Sequence, residues 1–319
     1  MKLAVLGTGM IVQDALPVLA ALDIQPHAML GTERSRERAQ ALAGRFGIPH
    51  CCFQYNDVLE SGADTAYVAL PNALHYDYAR EALLHGLHVI VEKPATSSLA
   101  QLRELRRLAR ERGLVLVEAV TLHHLPAFHA LRQELGSLGK LRLACFQFNQ
   151  YSSRYDAFLR GEIAPVFDPA QAGGALMDLN VYNIHCAAAL FGRPEAVHYH
   201  ATIQRGVDTS GVLVLDYGDL QVTCIAAKDC QGANVSTILG EAGRIACWPS
   251  VSQLDGYERI LRSGGQERRE GLLAEHRMSY EFAAFQRMID GVCLDEASQL
   301  LDLSEIAAEI LETAHGQIS

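Results

Sequence analysis

Four polar side chains stand at spacings that suit proton transfer. Lys93 follows a strand-like apolar run from His88 to Val91, with Glu92 between them. Asp178, Tyr182 and His185 recur at positions i, i+4 and i+7, which on an α-helix places them on one face. A carboxylate, a phenol, an imidazole and an ammonium group are the groups that general acid–base catalysis uses. A helix with a solvated polar face and a surface lysine explain the same pattern without chemistry.

A glycine-containing loop near the start of the chain indicates a phosphate-binding site. The segment Gly7-Thr8-Gly9-Met10-Ile11 follows an apolar run and opens a helix-like segment, as the dinucleotide fingerprint requires. Gly7 permits a tight turn, Gly9 lets phosphate approach the backbone, and the helix N-terminus attracts the negative charge. Val12 stands where a third glycine is usual, which leaves close helix–strand packing open. An ordinary strand–turn–helix is the alternative.

Glu33 and Arg34 follow the second predicted strand and bear on the choice of cofactor. A carboxylate at this place accepts hydrogen bonds from the ribose hydroxyls of NAD and repels the 2′-phosphate of NADP. The guanidinium of Arg34 suits that phosphate. Glu33 favours NAD, while NADP stays open, and a solvated turn explains the pair equally simply.

The elements that position these residues change in kind near residue 120. Short apolar strands alternate with helices over the first 120 residues, which predicts a parallel sheet with crossover helices, an α/β Rossmann domain. Longer strands without intervening helices follow, and Gly218-Asp219 suits a hairpin turn between two of them. The sequence therefore predicts a dinucleotide-binding domain over 1–120. It predicts an α/β domain with a large, mostly antiparallel open sheet over 121–319.

Composition excludes several function classes. The net charge is −10 with no basic stripe, which argues against nucleic-acid and membrane partners. Eight cysteines form no C-x-x-C pair, so no zinc site or other metal site is expected, and unpatterned thiols fit a reducing cytoplasm. The N-terminus does not read as a signal peptide, and no apolar run reaches the roughly 20 residues of a membrane span.

Taken in order, four segments resemble the Gfo/Idh/MocA oxidoreductases along essentially the whole chain. These segments are the glycine fingerprint, Ala69-Leu70-Pro71-Asn72-Ala73-Leu74-His75, Glu92-Lys93-Pro94, and the run from Gly173 to His185. Asn180 replaces a glycine of the family's helix motif, and Tyr182 occupies its His/Tyr position. The tyrosine, with Glu118-Ala119, is similar to the branch of dimeric dihydrodiol dehydrogenase and glucose–fructose oxidoreductase.

The resemblance implies hydride transfer between a nicotinamide and a secondary alcohol or ketone of a sugar, polyol or cyclic diol. Tyr182 is then the general acid/base, Lys93 lowers its effective pKa, and Asp178 orients Lys93 or a substrate hydroxyl. The implied assembly is a homodimer or homotetramer that forms through the open sheet. The resemblance also places His185 at the polar end of the substrate. Arg154 and Tyr155 lie in a loop-like stretch after a strand, where substrate contacts are common, and His123 is a further polar candidate. A surface or loop position explains each of these three residues equally well. The expected cofactor residues are Gly7, Thr8, Gly9, Met10, Ile11, Glu33, Arg34, Leu70, Pro71, Asn72, His75, Glu92, Lys93 and Ala119.

Three other functions fit the same residues. A non-catalytic Rossmann sensor of NAD(P) or of a sugar would bind cofactor without turnover. A cofactor-retaining enzyme, either a dehydrogenase–hydrolase or a sugar–sugar hydride exchanger, would keep the same fold. A purely structural subunit would need none of the acid–base groups.

Overall fold

The structure is a computed structural model that describes residues 1–318, and the chain divides into two compact units. The first unit comprises Met1–Ala119 and Met278–Glu305, and the second comprises Val120–Arg277 and the residues from Ile306 onward. One boundary between the units lies between Ala119 and Val120. The first unit is discontinuous in sequence, because residues 278–305 belong to it.

The first unit is built on a six-stranded parallel sheet in the order β3-β2-β1-β4-β5-β6. Most of its residues are buried, as expected for a sheet covered by helices on both faces. The order reverses beside β1, and in such sheets ligands bind at the carboxyl ends of the strands flanking that point. The strands are β1 Leu3–Leu6, β2 Pro26–Leu30, β3 His50–Cys52, β4 Thr65–Val68, β5 His88–Glu92 and β6 Leu116–Ala119.

The crossover helices of this unit begin and end where local chemistry allows. Gly47 and Gly113 end two of them in the left-handed conformation, and the Ser98 hydroxyl accepts the Gln101 N–H at the start of another. Their apolar faces recur at helical spacing and cover the sheet. The helices are α1 Met10–Ala21, α2 Arg36–Phe46, α3 Tyr55–Leu59, α4 His75–Leu84 and α5 Leu99–Arg112.

A helix from the end of the chain completes the core of the first unit. In α9 (Arg277–Asp290), Phe282 and Phe285 are fully buried, and the Phe282 ring meets that of Tyr67 edge-on with centroids 5.3 Å apart. This packing explains why residues 278–305 join the first unit. The last helix is α10 (Leu294–His315).

The second unit contains an eight-stranded sheet in the order β14-β13-β12-β11-β7-β10-β9-β8. Only β7 and β10 pair in parallel, so the sheet is mostly antiparallel as predicted. The expected hairpin joins β9 to β10, with Gly218 at φ +74°. The strands are β7 Leu141–Asn149, β8 Ala196–Gln204, β9 Val207–Asp216, β10 Gln221–Ala227, β11 Ser236–Gly240, β12 Gly243–Trp248, β13 Gly256–Leu261 and β14 Gln266–Arg269.

One helix covers a face of this sheet, preceded by a π-helical turn. The turn spans Leu176–Asn180 and continues into α8 (Val181–Phe191). Asn180 and Asn183 donate side-chain N–H groups to backbone carbonyls of β10, at 3.1 Å each, which holds the helix on the sheet. The remaining helices are α6 Pro126–Glu134 and α7 Tyr155–Leu159. Among residues 1–318, no helix has the length and apolarity needed to cross a membrane.

Candidate functional site

The glycine loop after β1 has the geometry of a phosphate site. Gly7 has φ +121°, and a Cβ there would collide with the carbonyl oxygen of Ala69. At Gly9 a Cβ would meet nothing within 4 Å, so the backbone is open to a ligand. No side chain caps the N-terminus of α1 and no acidic residue lies in its first turn, which suits the pyrophosphate of a dinucleotide. Val12 is fully buried in the core, which therefore accommodates the side chain that replaces the usual glycine.

Glu33 lies after β2, where the sequence places it, but its carboxylate is engaged. Arg36 donates two hydrogen bonds to it, at 2.5 and 3.0 Å, and the guanidinium carbon of Arg36 lies 3.8 Å from the Phe53 ring centroid. The hydrogen bond from Arg36 lowers the pKa of Glu33. The neighbouring Arg34 is exposed. The ion pair offsets the negative charge that would repel a 2′-phosphate.

His75 is a buried side chain that contacts the loops after β4 and β5. It is fully buried, with Nδ1 2.8 Å from the carbonyl oxygen of Pro94 and Nε2 2.8 Å from that of Leu70. Burial lowers its pKa. His75 is expected to help hold the nicotinamide half of the cofactor, and both of its ring nitrogens face backbone carbonyls. Its position therefore suits linking the loop after β4 to the loop after β5.

Lys93 is half-buried at the end of β5, and its backbone is held firmly. The preceding Glu92 is 8% exposed and accepts the Tyr67 hydroxyl at 2.6 Å. Two residues later, the Ala95 N–H donates to the buried Glu118 carboxylate at 2.8 Å. Ala119 lies opposite Glu92 in the β5–β6 register. The expected cofactor residues Glu92, Lys93 and Ala119 thus share one edge of the sheet.

The residues after the β4 end are more accessible. Leu70 and Asn72 are half-buried and Pro71 is exposed, in the loop that leads into α4. Like Gly7, they follow strands at the switch point of the sheet. The first unit therefore gathers the predicted cofactor residues at the edge where dinucleotides bind in this topology.

Asp178 lies in the π-helical turn of the second unit rather than in a regular α-helix. The turn alters the predicted i, i+4, i+7 spacing, so the one-face geometry holds only within α8, for Tyr182 and His185. The Asp178 carboxylate accepts a hydrogen bond from the Lys228 ammonium group at 2.7 Å. Asp178 is 29% exposed, whereas Lys228 is 2% exposed.

The start of this turn is anchored by a buried carboxylate. Asp208 is 2% exposed and accepts hydrogen bonds from the Leu176 N–H and the Tyr199 hydroxyl, both at 2.7 Å. Burial raises the pKa of Asp208. Gly174 has φ +120°, and a Cβ at this position would collide with the Asp208 carboxylate. The paired glycines of the motif therefore let the chain reach its anchor.

Replacing Gly174 with alanine is expected to lower the free energy of unfolding by about 3 kcal/mol, because the side chain is strained at positive φ and overlaps Asp208. Gly136→Ala is the control, since a Cβ there meets nothing within 4 Å. Its effect should stay within about 0.5 kcal/mol. Urea unfolding of both variants checks the difference, and equal stabilities would contradict the anchoring role of Asp208.

Tyr182 and His185 are less exposed than an external substrate site suggests. Tyr182 is 8% exposed, and its ring lies 5.8 Å from that of Phe148. His185 is 1% exposed, and its Nδ1 lies 3.2 Å from Nε2 of His123. Burial, followed by the neighbouring His185, lowers the pKa of His123 well below its usual range. The buried His185 thus pairs with the half-buried His123, which makes a supporting role fit better than the expected substrate contact.

The side chains of Arg154 and Tyr155 lie in different surroundings. Tyr155 is 8% exposed, packs in a small apolar cluster with Phe158 and Phe167, and donates its hydroxyl to Gln204 at 2.9 Å. Its environment is that of a packing residue, unlike the substrate contact the sequence predicts. Arg154 is exposed, so its predicted substrate role stays a prediction.

Two functional candidates, Lys228 and Asp208, escape sequence reasoning. Lys228 directly follows the apolar strand β10, and a single lysine after a strand is ordinarily a surface residue. Its pairing with Asp178 joins positions 50 residues apart. Within residues 1–318, no group of three or more His, Cys, Asp or Glu side chains has metal-site geometry.

Two family models match the chain. Residues 1–120 match a model described as an oxidoreductase family with an NAD-binding Rossmann fold. Residues 131–246 match a GFO/IDH/MocA C-terminal domain. Each match falls within one of the two predicted domains.

Similar proteins include two dehydrogenases, one from Bacillus subtilis and one from Macaca fuscata fuscata. The chain is 32% identical to scyllo-inositol 2-dehydrogenase (NADP(+)) IolU of Bacillus subtilis, over 99% of this chain and 97% of that protein. It is 29% identical to trans-1,2-dihydrobenzene-1,2-diol dehydrogenase of Macaca fuscata fuscata, over 78% of this chain and 75% of that protein.

A solved structure shares the fold. The 3-ketoreductase KijD10 of Actinomadura kijaniata, in complex with NADP and TDP-benzene, superimposes with a TM-score of 0.85. It is 23% identical in sequence, and the match covers 99% of this chain and 97% of that one. The likeness extends over both units and supports the α/β fold class.

Proposed function

The chain belongs to the Gfo/Idh/MocA oxidoreductase family, and from that premise we propose that it is an NAD(P)-dependent dehydrogenase or reductase. Its substrate is a secondary alcohol, or the corresponding ketone, of a sugar, polyol or cyclic diol. The similarity to an inositol dehydrogenase and a cyclic-diol dehydrogenase supports this substrate class. When bound, the nicotinamide supplies or accepts the hydride.

Each candidate side chain has a distinct role in this proposal. Tyr182 moves the proton to or from the substrate oxygen. The phenol has an ordinary pKa of about 10, so a nearby positive charge is needed for it to work at neutral pH. Lys93 supplies that charge and donates a hydrogen bond to the same oxygen. Asp178 orients its hydrogen-bond partners, and His75 and Glu118 hold the backbone that directly follows Lys93.

The observation that carries the proposal is the shared edge of the first sheet. The open, uncapped glycine loop after β1 and the half-buried Lys93 after β5 both lie at carboxyl ends of its strands. A dinucleotide bound on the loop extends along that edge in this topology. A sensor needs the loop but has no need for a held lysine.

The proposal is tested by assaying inositols, aldoses and trans-cyclic diols with NADP⁺ and NAD⁺, and by following reduced nicotinamide. Turnover of at least one substrate class is expected. Saturable cofactor binding without turnover of any class would instead support the sensor. A cofactor that stays bound through purification and is reduced only once would support the cofactor-retaining enzyme.

We propose NADP as the preferred cofactor, although Glu33 alone favours NAD. Arg36 offsets the negative charge of the Glu33 carboxylate through two hydrogen bonds. Glu33 therefore repels a 2′-phosphate less than the sequence suggests. The exposed guanidinium of Arg34 then holds that phosphate by charge-assisted hydrogen bonds. The names of IolU and of the KijD10 complex both include NADP.

An Arg34→Ala variant is expected to raise the Kd of NADPH by about 10- to 100-fold, the loss of a hydrogen bond to a charged group. The Kd of NADH should stay nearly unchanged. Arg38→Ala is the matched control, since Arg38 is an exposed arginine four positions further along. Fluorescence titration gives both constants. Equal losses in the two variants would contradict the assignment of Arg34.

We also propose a homodimer that forms through the face of the second sheet opposite α8. This face carries exposed apolar side chains, including Leu143 and Val212. Apolar patches of this kind are typical of subunit interfaces. Analytical ultracentrifugation should give twice the chain mass of 34.8 kDa, whereas a monomer mass would contradict the proposal. The eight free thiols support a location in the reducing cytoplasm.

A further inference from the structure

Lys228 has an unusual environment for a lysine. The chain has only four lysines, Lys2, Lys93, Lys140 and Lys228, and 23 arginines. Lys228 is 2% exposed, although an ammonium group is costly to bury without partners. Its Nζ donates to Asp178 Oδ2 at 2.7 Å and to the Val166 carbonyl at 2.8 Å, and lies 4.6 Å from the Phe167 ring centroid.

The backbone around Lys228 is equally constrained. Its N–H donates to the Thr209 carbonyl of β9 at 2.8 Å. Asp208, the residue before Thr209, holds the start of the π-helical turn through the Leu176 N–H. Burial raises the pKa of Asp208, and the nearby positive charge of Lys228 offsets a small part of that rise. Two charged groups from adjacent strands therefore hold the turn, one at its first residue and one at Asp178.

This geometry fixes the direction of the Asp178 carboxylate. A carboxylate is planar, so binding Oδ2 to a buried, immobile ammonium group also sets where Oδ1 points. Asp178 keeps 29% of its side-chain surface exposed, whereas the Lys228 group that binds its Oδ2 is 2% exposed. A carboxylate that is held in this way orients a hydrogen-bonding partner without first losing side-chain entropy.

We propose that Lys228 is a positioning residue for the hydride-transfer reaction, which acts by holding Asp178 beside the proton-transfer residue Tyr182. The proposal rests on the proposed function. A purely structural ion pair would contribute to stability alone. A positioning residue instead affects turnover, and it does so only while Asp178 is present.

The test is a double-mutant cycle of Lys228→Met, Asp178→Asn and the combined variant, assayed with the best substrate of the panel above. Lys228→Met should lower kcat by about 10- to 100-fold, in the range for a misplaced catalytic group. The Kd of NADPH should change little. The combined variant should be no slower than Asp178→Asn alone, because both changes remove one interaction. Lys140→Met is the control, since Lys140 pairs with Asp219 at the surface and is 49% exposed.

Several outcomes would overturn the proposal. They are wild-type turnover in Lys228→Met, and losses that multiply in the combined variant. Thermal unfolding checks the fold of each variant. If Lys228→Met does not fold, the combined variant is assayed in its place, because it removes both charges of the Lys228–Asp178 pair. Failure of both to fold would make Lys228 a folding residue and also overturn the proposal. Absence of turnover in the wild-type protein would contradict the proposed function instead.

Discussion

A Lys93→Ala variant loses at least about 100-fold in kcat while binding NADPH nearly as tightly as the wild type, if Lys93 stabilises charge on the reacting oxygen. Lys93 is half-buried, and its backbone segment is held by the contacts of Glu92, His75 and Glu118. Truncating the side chain leaves those contacts in place, so the glycine loop after β1 is not expected to change.

Stopped-flow and steady-state assays, with fluorescence titration of NADPH, check this expectation. Lys140→Ala is the control, because a surface ion pair contributes little and its removal should leave kcat within about twofold of the wild type. Equal activity of wild type and Lys93→Ala would remove Lys93 from the mechanism. A large loss of NADPH affinity with unchanged kcat would make it a cofactor-binding residue only.

The second large effect is expected from Tyr182→Phe, which should lower kcat by about 100- to 1,000-fold, since the phenol is the proposed proton donor and acceptor. Phenylalanine keeps the ring, and with it the packing against Phe148. Thermal stability and the Kd of NADPH should therefore stay close to the wild-type values.

Tyr217→Phe is the matched control for this substitution. The Tyr217 hydroxyl donates to the Gly192 carbonyl at 3.1 Å. Tyr217→Phe therefore also removes a phenol hydroxyl, but one that makes a structural hydrogen bond. This change should affect stability slightly and turnover hardly at all. Turnover of Tyr182→Phe at the wild-type rate would contradict the role of Tyr182 as the acid/base group.

The fold of the first unit could be predicted because its strands are short apolar runs bounded by turns. The exceptions have physical causes. Strand β3 (His50–Cys52) is three residues long and lies at the sheet edge, so it leaves little periodic signal. The place of α9 depends on Phe282 meeting Tyr67 across more than 200 positions of sequence, and no local pattern encodes such a contact.

The second sheet was predicted only in part. Strands β7 and β10 alternate buried and more exposed residues, because one face is covered by α8. Strands β13 and β14 instead carry arginine and glutamate side chains at the sheet edge, including Arg259 and Glu267, which contact each other. Charged edge strands lack the apolar pattern by which strands are recognised.

Site residues fall into two groups by what determines them. Positions at strand ends, such as Gly9 and Lys93, follow from the element order and were predicted. Burial and pairing of individual side chains were not. Tyr155, His185 and His75 turned out to be enclosed, and Asp178 turned out to bind Lys228. The π-helical turn also changes the spacing on which the one-face argument relied, since a regular helix was assumed.

The central claim, that the first unit binds a nicotinamide dinucleotide, is tested most directly by titrating cofactor-stripped protein with NADPH and with NADH. Enhancement of nicotinamide fluorescence reports binding. Saturable binding of both is predicted, with the lower Kd for NADPH. A lower Kd for NADH would indicate that Glu33 binds the ribose 2′-hydroxyl of NAD, and it would leave the fold assignment unchanged. No saturable binding of either cofactor would contradict the claim, because every proposed step requires that cofactor.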